Sequence, residues 1–515
     1  MKIKSFYITA SFACLFMLTS CVDYEVKDPN FMPPDVVLDE GDDDEIIEGL
    51  PTPGEMQAYS PSLLGKPYRP IKVKYSSQFP PVASWTEANT RIVAYMGEYK
   101  PSIKTESDYK AITNKYGSLT TGAKQQATGR FYVKKVNGRW WIIDPEGYPH
   151  YERSVTSLRY GSSSRNKEAW NKRFGNDNMW LSKTQAELAS IGFHGGAFCT
   201  NTYSKIQAHN QSNPNAPMTL APSFGFLSQF RSQNGHAYPG NTSDNELGLV
   251  LYSDWADFCK SYIRSAMASY LNDANVLGFF SDNEINFSSQ NSRILDRFLK
   301  LTDRTDIAYL EAKKFMEEKN ATSVTDNLNS EFAGRLAELY YKGVKEAIKE
   351  IDPGMMYLGT RLHGTPKYLQ HVVAAAGKYC DIISINYYSR WSPELTTYVK
   401  QWGEDWADAP FMVTEFYTKG VEDSDLNNQS GAGFSVPTQN DRAYAYQHFT
   451  LGLLEAKNCV GWHWFKYQDD DGTDNSSKPA NKGVYDNYYE MYPYLSKFMK
   501  EVNYNVYNLI EYFDK

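Results

Sequence analysis

Residues 276–285 read VLGFFSDNEI. Val276, Leu277, Phe279 and Phe280 have the character of a strand covered on both faces, and Asp282, Asn283 and Glu284 follow at once. An ionised carboxylate is costly to bury without a partner, so two of them and an amide need a reason at the end of an apolar strand. The pattern fits a strand of a parallel sheet whose carboxyl end opens on a site.

The same grammar recurs downstream. MMYLGTRL (355–362) supplies Arg361 and is followed by His363. DIISINYY (381–388) ends in Asn386, Tyr387 and Tyr388, FMVTEFY (411–417) carries Glu415, and CVGWHWFKY (459–467) carries His463 and Trp464. Helical patterns lie between these runs, at 253–272, 330–351, 366–378, 393–403 and 441–457, with a last one at 489–502. Upstream, FYVKKV (131–136) and RWWIID (139–144) flank Asn137-Gly138, a two-residue hairpin signal. A strand at 151–159, a helix at 166–191 and short strands at 194–198 and 220–226 follow. About eight strand–helix units between 151 and 502 predict an α/β fold, a (β/α)8 TIM barrel with a short N-terminal extension. The alternative is an open doubly wound sheet, which usually carries a glycine-rich phosphate loop after its first strand; neither GxGxxG nor GxxxxGK[ST] is present.

The N-terminal residues belong to a different class. Lys2 and Lys4 precede the apolar run Phe6 to Leu18, and Leu-Thr-Ser leads to Cys21. This reads as a lipoprotein signal over 1–21, with lipid at Cys21 anchoring the chain to the bacterial cell envelope. Residues 22–60 hold five prolines and the acidic run 39–45, the composition of an extended tether. Residues 61–128 are expected to be a cap or wrap, and 129–515 the barrel. No later run of 18 apolar residues occurs, so an anchored rather than membrane-spanning chain is expected. After Cys14 and Cys21, the cysteines at 199, 259, 380 and 459 are far apart with no CxxC pair, which argues against zinc and for buried thiols.

Net charge is −8, without the basic face that nucleic acid requires. The 39 Tyr, 26 Phe and 11 Trp suit either a large aromatic core or stacking on sugar rings. In a barrel, Glu284 and Glu415 would both stand at carboxyl ends of strands. Two carboxylates in one pocket are what glycoside cleavage needs, one protonated to help the leaving oxygen depart and one ionised to attack or to position water. Asn283 would bond a sugar hydroxyl, Trp464 would floor the ring, and Arg361, His363, Asn386, Tyr387 and His463 complete the candidate substrate contacts. Either Glu taken alone reads equally as a loop or ion-pair residue, and each His as structural. The run 469–474, DDDGTD, lacks the ligand spacing of a calcium loop and reads as a loop at the barrel mouth. A binding protein on a barrel that has lost its catalysis would keep the aromatics and lose a carboxylate; both are present.

Six stretches carry a family resemblance: ATGRFYVKKVNGRWWIIDPEGYPHY (127–151), VLGFFSDNE (276–284), MMYLGTRLHG (355–364), KYCDIISINYY (378–388), FMVTEFYTKG (411–420) and VGWHWFKYQD (460–469). In this order they resemble the agarases of glycoside hydrolase family 50, over about 110–500. The resemblance implies a retaining β-glycosidase with Glu284 as acid/base, Glu415 as nucleophile and Asn283 at the cleavage subsite. It also implies carboxyl groups about 5–5.5 Å apart and no metal or organic cofactor. The chain departs from the pattern at Lys466, where Gln is common, and in the loops 419–437 and 470–481, and the large N-terminal carbohydrate-binding-like domain of many such agarases is expected to be absent or much reduced in residues 61–128. Loops set substrate choice in a barrel, so porphyran, another β-galactan or a β-glucan stand beside agarose as expected substrates.

Overall fold

The structure is a computed structural model that describes residues 69–515 except 77–84, 97–98, 197–199, 289–291, 389, 422–423, 425 and 476. The signal over 1–21 with Cys21, the tether over 22–60 and Cys199 lie outside the described residues. No helix of the described residues is long and apolar enough to cross a membrane.

Two strands come first, β1 (Arg69–Ser76) and β2 (Thr86–Thr90). A meander of β3 (Tyr132–Val136), β4 (Arg139–Ile143) and β5 (Pro149–His150) follows, its tight turn at Asn137 and Gly138 with φ of 51° and 81°. The remaining strands are β6 (Glu152–Val155), β7 (Gly195–Gly196), β8 (Thr219–Leu220), β9 (Ser223–Phe224), β10 (Phe280–Ser281), β11 (Ile383–Asn386), β12 (Phe411–Phe416), β13 (Thr418–Gly420), β14 (Gly433–Val436) and β15 (Cys459–Trp464). The fold is mixed α/β, built on a six-stranded parallel sheet in the order β11-β12-β15-β6-β7-β8. Parallel bridges Leu220↔Val276, Phe279↔Tyr357 and Leu362↔Ile385, with the parallel pair β9–β10, extend this pairing.

Alternation along the strands sorts their side chains into two sets. Phe279, Tyr357, Ile383, Ile385, Phe411, Val413 and Trp462 pack in the large cluster with the helices, including Asp326–Ile351 and Gln439–Glu455. Leu277, Met356, Leu358, Ile382, Met412 and Val460 point the other way and meet Tyr116, Phe131 and Ile142. These lie toward the amino ends of the strands, so the hairpin region plugs that end with apolar packing. The polar residues Glu284, Arg361, Asn386 and Glu415 are left at the opposite end.

Several elements differ from the sequence reading. Residues 393–403 hold only a turn of helix at Tyr398–Lys400 and a π-helical turn at Gln401–Asp405. Glu394 is engaged by the Tyr387 hydroxyl through both its carboxylate (2.7 Å) and its backbone N–H (3.2 Å), which holds the preceding residues out of a helix. The last helix begins at Pro493, in the first turn where proline fits, and a further helix spans Val506–Asp514. A four-stranded sheet, β13-β14-β1-β2, went unread because it pairs residues far apart, as in Lys74↔Ser435. It ties residues 69–76 to the loop that follows Glu415.

Candidate active site

Register brings the polar residues level. Asn386 and Glu415 are Cα partners across β11 and β12, after a register shift at Ile385/Asn386. The Ser281 N–H donates to Gly359 O (3.0 Å) and the Glu284 N–H to Thr360 O (3.0 Å), placing 281–284 beside 359–361. Asp282, Glu284 and Arg361 have φ of 43°, 52° and 57°. Left-handed backbone costs a non-glycine residue roughly 1–3 kcal/mol and concentrates where side-chain aim matters.

These conformations separate the two carboxylates of the opening stretch. Asp282 turns away from the pocket, accepting from the Leu227 N–H (3.2 Å) in the first turn of the helix Phe226–Asn234 and from the Tyr340 hydroxyl. Burial pushes its carboxyl up to about 7. Asn283 offers its carbonyl to Arg361 Nη1 (3.0 Å). Glu284 faces the pocket, where its Oε1 accepts from Asn386 Nδ2 (2.7 Å). Asn386 is itself fixed by the Thr414 hydroxyl, which donates to its Oδ1 (2.9 Å).

Glu415 is nearly buried, and its surroundings differ from those of Glu284. Arg361 Nη2 lies 2.7 Å from Glu415 Oε1, and the Tyr388 hydroxyl donates to Oε2. Arg361 has no exposed surface, and it also donates to Thr414 O (2.8 Å). Burial raises both carboxyls above the ordinary range. At Glu415 the adjoining guanidinium opposes that rise most directly. At Glu284 the first opposing group is the neutral amide of Asn386. Arg361 also lowers Glu284, and a charge on Glu284 raises Glu415 further, so the two carboxyls titrate as one coupled pair. His363 Nδ1 is 3.7 Å from Glu284 Oε1. Burial lowers the imidazole to about 4, so it is neutral at pH 7 and this is a polar contact, not an ion pair.

Three expected substrate contacts stand elsewhere. Tyr387 is buried against Trp402 and Phe449, with its hydroxyl on Glu394. Trp464 is buried edge-on to Phe416, with its indole N–H donating to Lys482 O (2.9 Å), and floors nothing. His463 points inward one layer too deep, 3.5 Å from Glu152 Oε1 and against Phe280. Burial works against a charge on Glu152, yet His150 and His463 hold its carboxyl below the usual range. The cause for the first two is alternation. Asn386 and Tyr388 share the inward face of β11 and its extension, and Tyr387 takes the outward one; Phe465, after Trp464, lines the pocket. Counting by two from Asn386 finds Tyr388. Tyr388→Phe should lower kcat by about 10- to 100-fold, while Tyr387→Phe should leave it within about threefold, as steady-state kinetics would read. Equal effects would remove the distinction.

Arg159, Tyr417, Phe465, Lys466, Asp470 and Lys482 complete the pocket with Gly431 and Ala432. Sequence reasoning did not place Arg159, Tyr417, Lys466 or Lys482 as site residues, because they arrive from segments after three different strands, β6, β12 and β15. Among the described residues no group of three or more His, Cys, Asp or Glu could hold a metal ion. Cys259, Cys380 and Cys459 are buried and free.

No family model matches the chain. It is similar to beta-agarase B of Vibrio sp. (strain JT0107), 21% identical over 476 residues that cover 72% of this chain and 47% of that protein. The chain thus spans about half the length of this curated relative. Among solved structures, the agarase AgWH50C has the same fold at 18% identity, TM-score 0.61, covering 80% of this chain and 71% of that one. BpGH50 is 48% identical with a TM-score of 0.81, covering 87% of this chain and 97% of that one. Identity at that level over nearly the whole of BpGH50 places the chain in a family its own motifs resembled: it belongs to glycoside hydrolase family 50.

Proposed function

We propose that the chain is a retaining β-glycoside hydrolase of agarose-type galactans or their oligosaccharides. The carrying observation is the single pocket that holds Glu284 beside a neutral amide and Glu415 beside Arg361 and Tyr388. Glu415 attacks the anomeric carbon as Glu284 gives its proton to the departing glycosidic oxygen, leaving a glycosyl-enzyme. Glu284, now ionised, takes a proton from water, whose oxygen displaces Glu415 and restores both groups. Asn283 gives its carbonyl oxygen to Arg361, which leaves its amide nitrogen to donate to a sugar hydroxyl. His363 and Asn386 stand on the Glu284 side of the bond to be cleaved. The family membership and the relatives named as agarases support the substrate class.

A closed (β/α)8 barrel is part of this reading. The support is the pairing that leads from β6 through β7, β8–β9, β10, the 357–362 segment, β11, β12 and β15 back to β6. Such closure would set both carboxylates on one rim.

The test is product stereochemistry on agarose and neoagaro-oligosaccharides, followed by proton NMR. Retention predicts that the β-anomer of the new reducing end appears first; an α-anomer appearing first would sink the mechanism. The pH profile is a second expected outcome. Glu284 must begin protonated, so activity is lost as pH rises through its pKa, which burial raises above the ordinary carboxylate range. Glu415 must begin ionised, so activity is lost as pH falls through its pKa. Glu284→Gln assayed on an aryl glycoside with a good leaving group should lose the alkaline limb and keep the acid one.

A further inference from the structure

The pocket that holds the two glutamates carries more positive charge than its fold needs. Lys466 and Lys482 both pair with the one carboxylate of Asp470, the latter at 2.8 Å. Lys482 also donates to the Ser430 hydroxyl (3.0 Å), and behind it Lys419 donates to Ser430 O (3.1 Å) and Gly431 O (2.8 Å). Burial, then the neighbouring Lys482, lowers the Lys419 ammonium to about 7, as expected where cations crowd. The half-buried Arg159 lines the same pocket, and among the described residues its guanidinium has neither hydrogen-bond nor ion-pair partner. Arg361 already balances Glu415.

A purely structural role accounts for part of this. Asp470 and its two lysines hold the 470–482 loop against β15. One carboxylate needs only one ammonium, however, and no such role covers Arg159. A half-buried arginine fork facing a substrate pocket without a protein acceptor is suited to an oxyanion. The Phe465 and Tyr417 rings, 5.7 Å apart in the same pocket and 5.9 and 5.6 Å from the Lys482 ammonium, supply the flat surface a sugar ring would meet.

We propose that the subsite walled by Arg159, Lys466 and Lys482 takes a negatively charged sugar, so that the preferred substrate is an anionic β-galactan rather than a neutral one. This rests on the hydrolase reading and narrows its substrate class. The charge is a sulfate ester or a carboxylate on the residue next to the cleaved bond.

The experiment compares kcat/KM on three oligosaccharide series of the same backbone and length: 6-O-sulfated, chemically desulfated, and uronate-containing. The anionic series bearing the right group should be favoured over the neutral one by about tenfold or more, and the series that wins identifies sulfate or carboxylate. Arg159→Met and Lys466→Gln should each cut that ratio several-fold, mainly through KM on the charged substrate, and Arg159→Lys should restore part of it. Equal use of charged and neutral series, or a ratio that moves less than twofold in Arg159→Met, overturns the proposal. Binding of the same oligosaccharides to Glu284→Gln by calorimetry separates the two readings. A charged preference in binding with no turnover by the wild type would fail the hydrolase reading and keep the subsite. Turnover without a charged preference would do the reverse.

Discussion

Glu415→Ala should lower kcat by about four orders of magnitude or more while the protein stays folded, because no glycosyl-enzyme can form. The variant also creates a test that a structural role could not pass. The missing carboxylate leaves a space on the face of the sugar where it attacks. A small anion such as azide can enter that space and attack the anomeric carbon directly. With an activated aryl β-glycoside, azide should restore turnover and give the α-glycosyl azide. In Glu284→Ala the covalent intermediate still forms, and azide should intercept it to give the β-product. Product configuration by NMR therefore assigns each residue. A β-azide from Glu415→Ala, or activity near wild type in either variant, would reverse or remove the assignment. Glu415→Ala also leaves the buried Arg361 without its anion, at a cost of about 3–5 kcal/mol, so a native circular dichroism spectrum at the assay temperature, rather than an unchanged melting curve, shows that activity and not folding was lost.

Arg361→Met should have the second largest effect, on both activity and stability. Arg361 holds three groups at once: the Glu415 carboxylate, the Asn283 carbonyl and the Thr414 backbone oxygen. Its removal leaves Glu415 buried without its cation. A buried pair broken by removing one partner costs about 3–5 kcal/mol. The Glu415 pKa then rises further above its unfolded value, so the variant's stability should fall as pH rises. The acid limb of the activity profile should move to higher pH for the same reason. Turnover should fall about 100- to 1000-fold, as when a preorganised charged contact is lost. Arg361→Lys should recover little, because an ammonium cannot span the three acceptors. An unmoved acid limb with kcat within about threefold of wild type would show that Arg361 only packs.

The strand ends were legible because the sequence breaks its own rule there. VLGFFSDNE and FMVTEFY each place a carboxylate directly beside residues that must be buried, which local structure alone does not explain. What failed was the finer placement. Tyr387 and Trp464 were expected in the pocket, yet both lie on the outward face of their strands, one residue from Tyr388 and Phe465. Period-two alternation carried this information, but its phase is fixed only once the inward position of Asn386 is known. His463 has the right phase and the wrong depth, and depth depends on register with Ser154 of β6. The cationic wall was not legible at all. Arg159 and Lys466 fall at the ends of runs that read as strands and Lys482 in no marked element, and only folding sets them around one cavity.

The sequence by itself determined the alternation of buried strands and helices, the two glutamates at strand ends, and the family, since hydrophobic period and strand-end polarity are local properties. The tertiary structure alone decided which of Asp282 and Glu284 enters the pocket. It also set Arg361 on Glu415 and gathered the positive charge in the same pocket. Left-handed backbone at strand ends, inter-strand register and loop convergence join residues from tens to hundreds of positions apart, and no local pattern encodes such contacts.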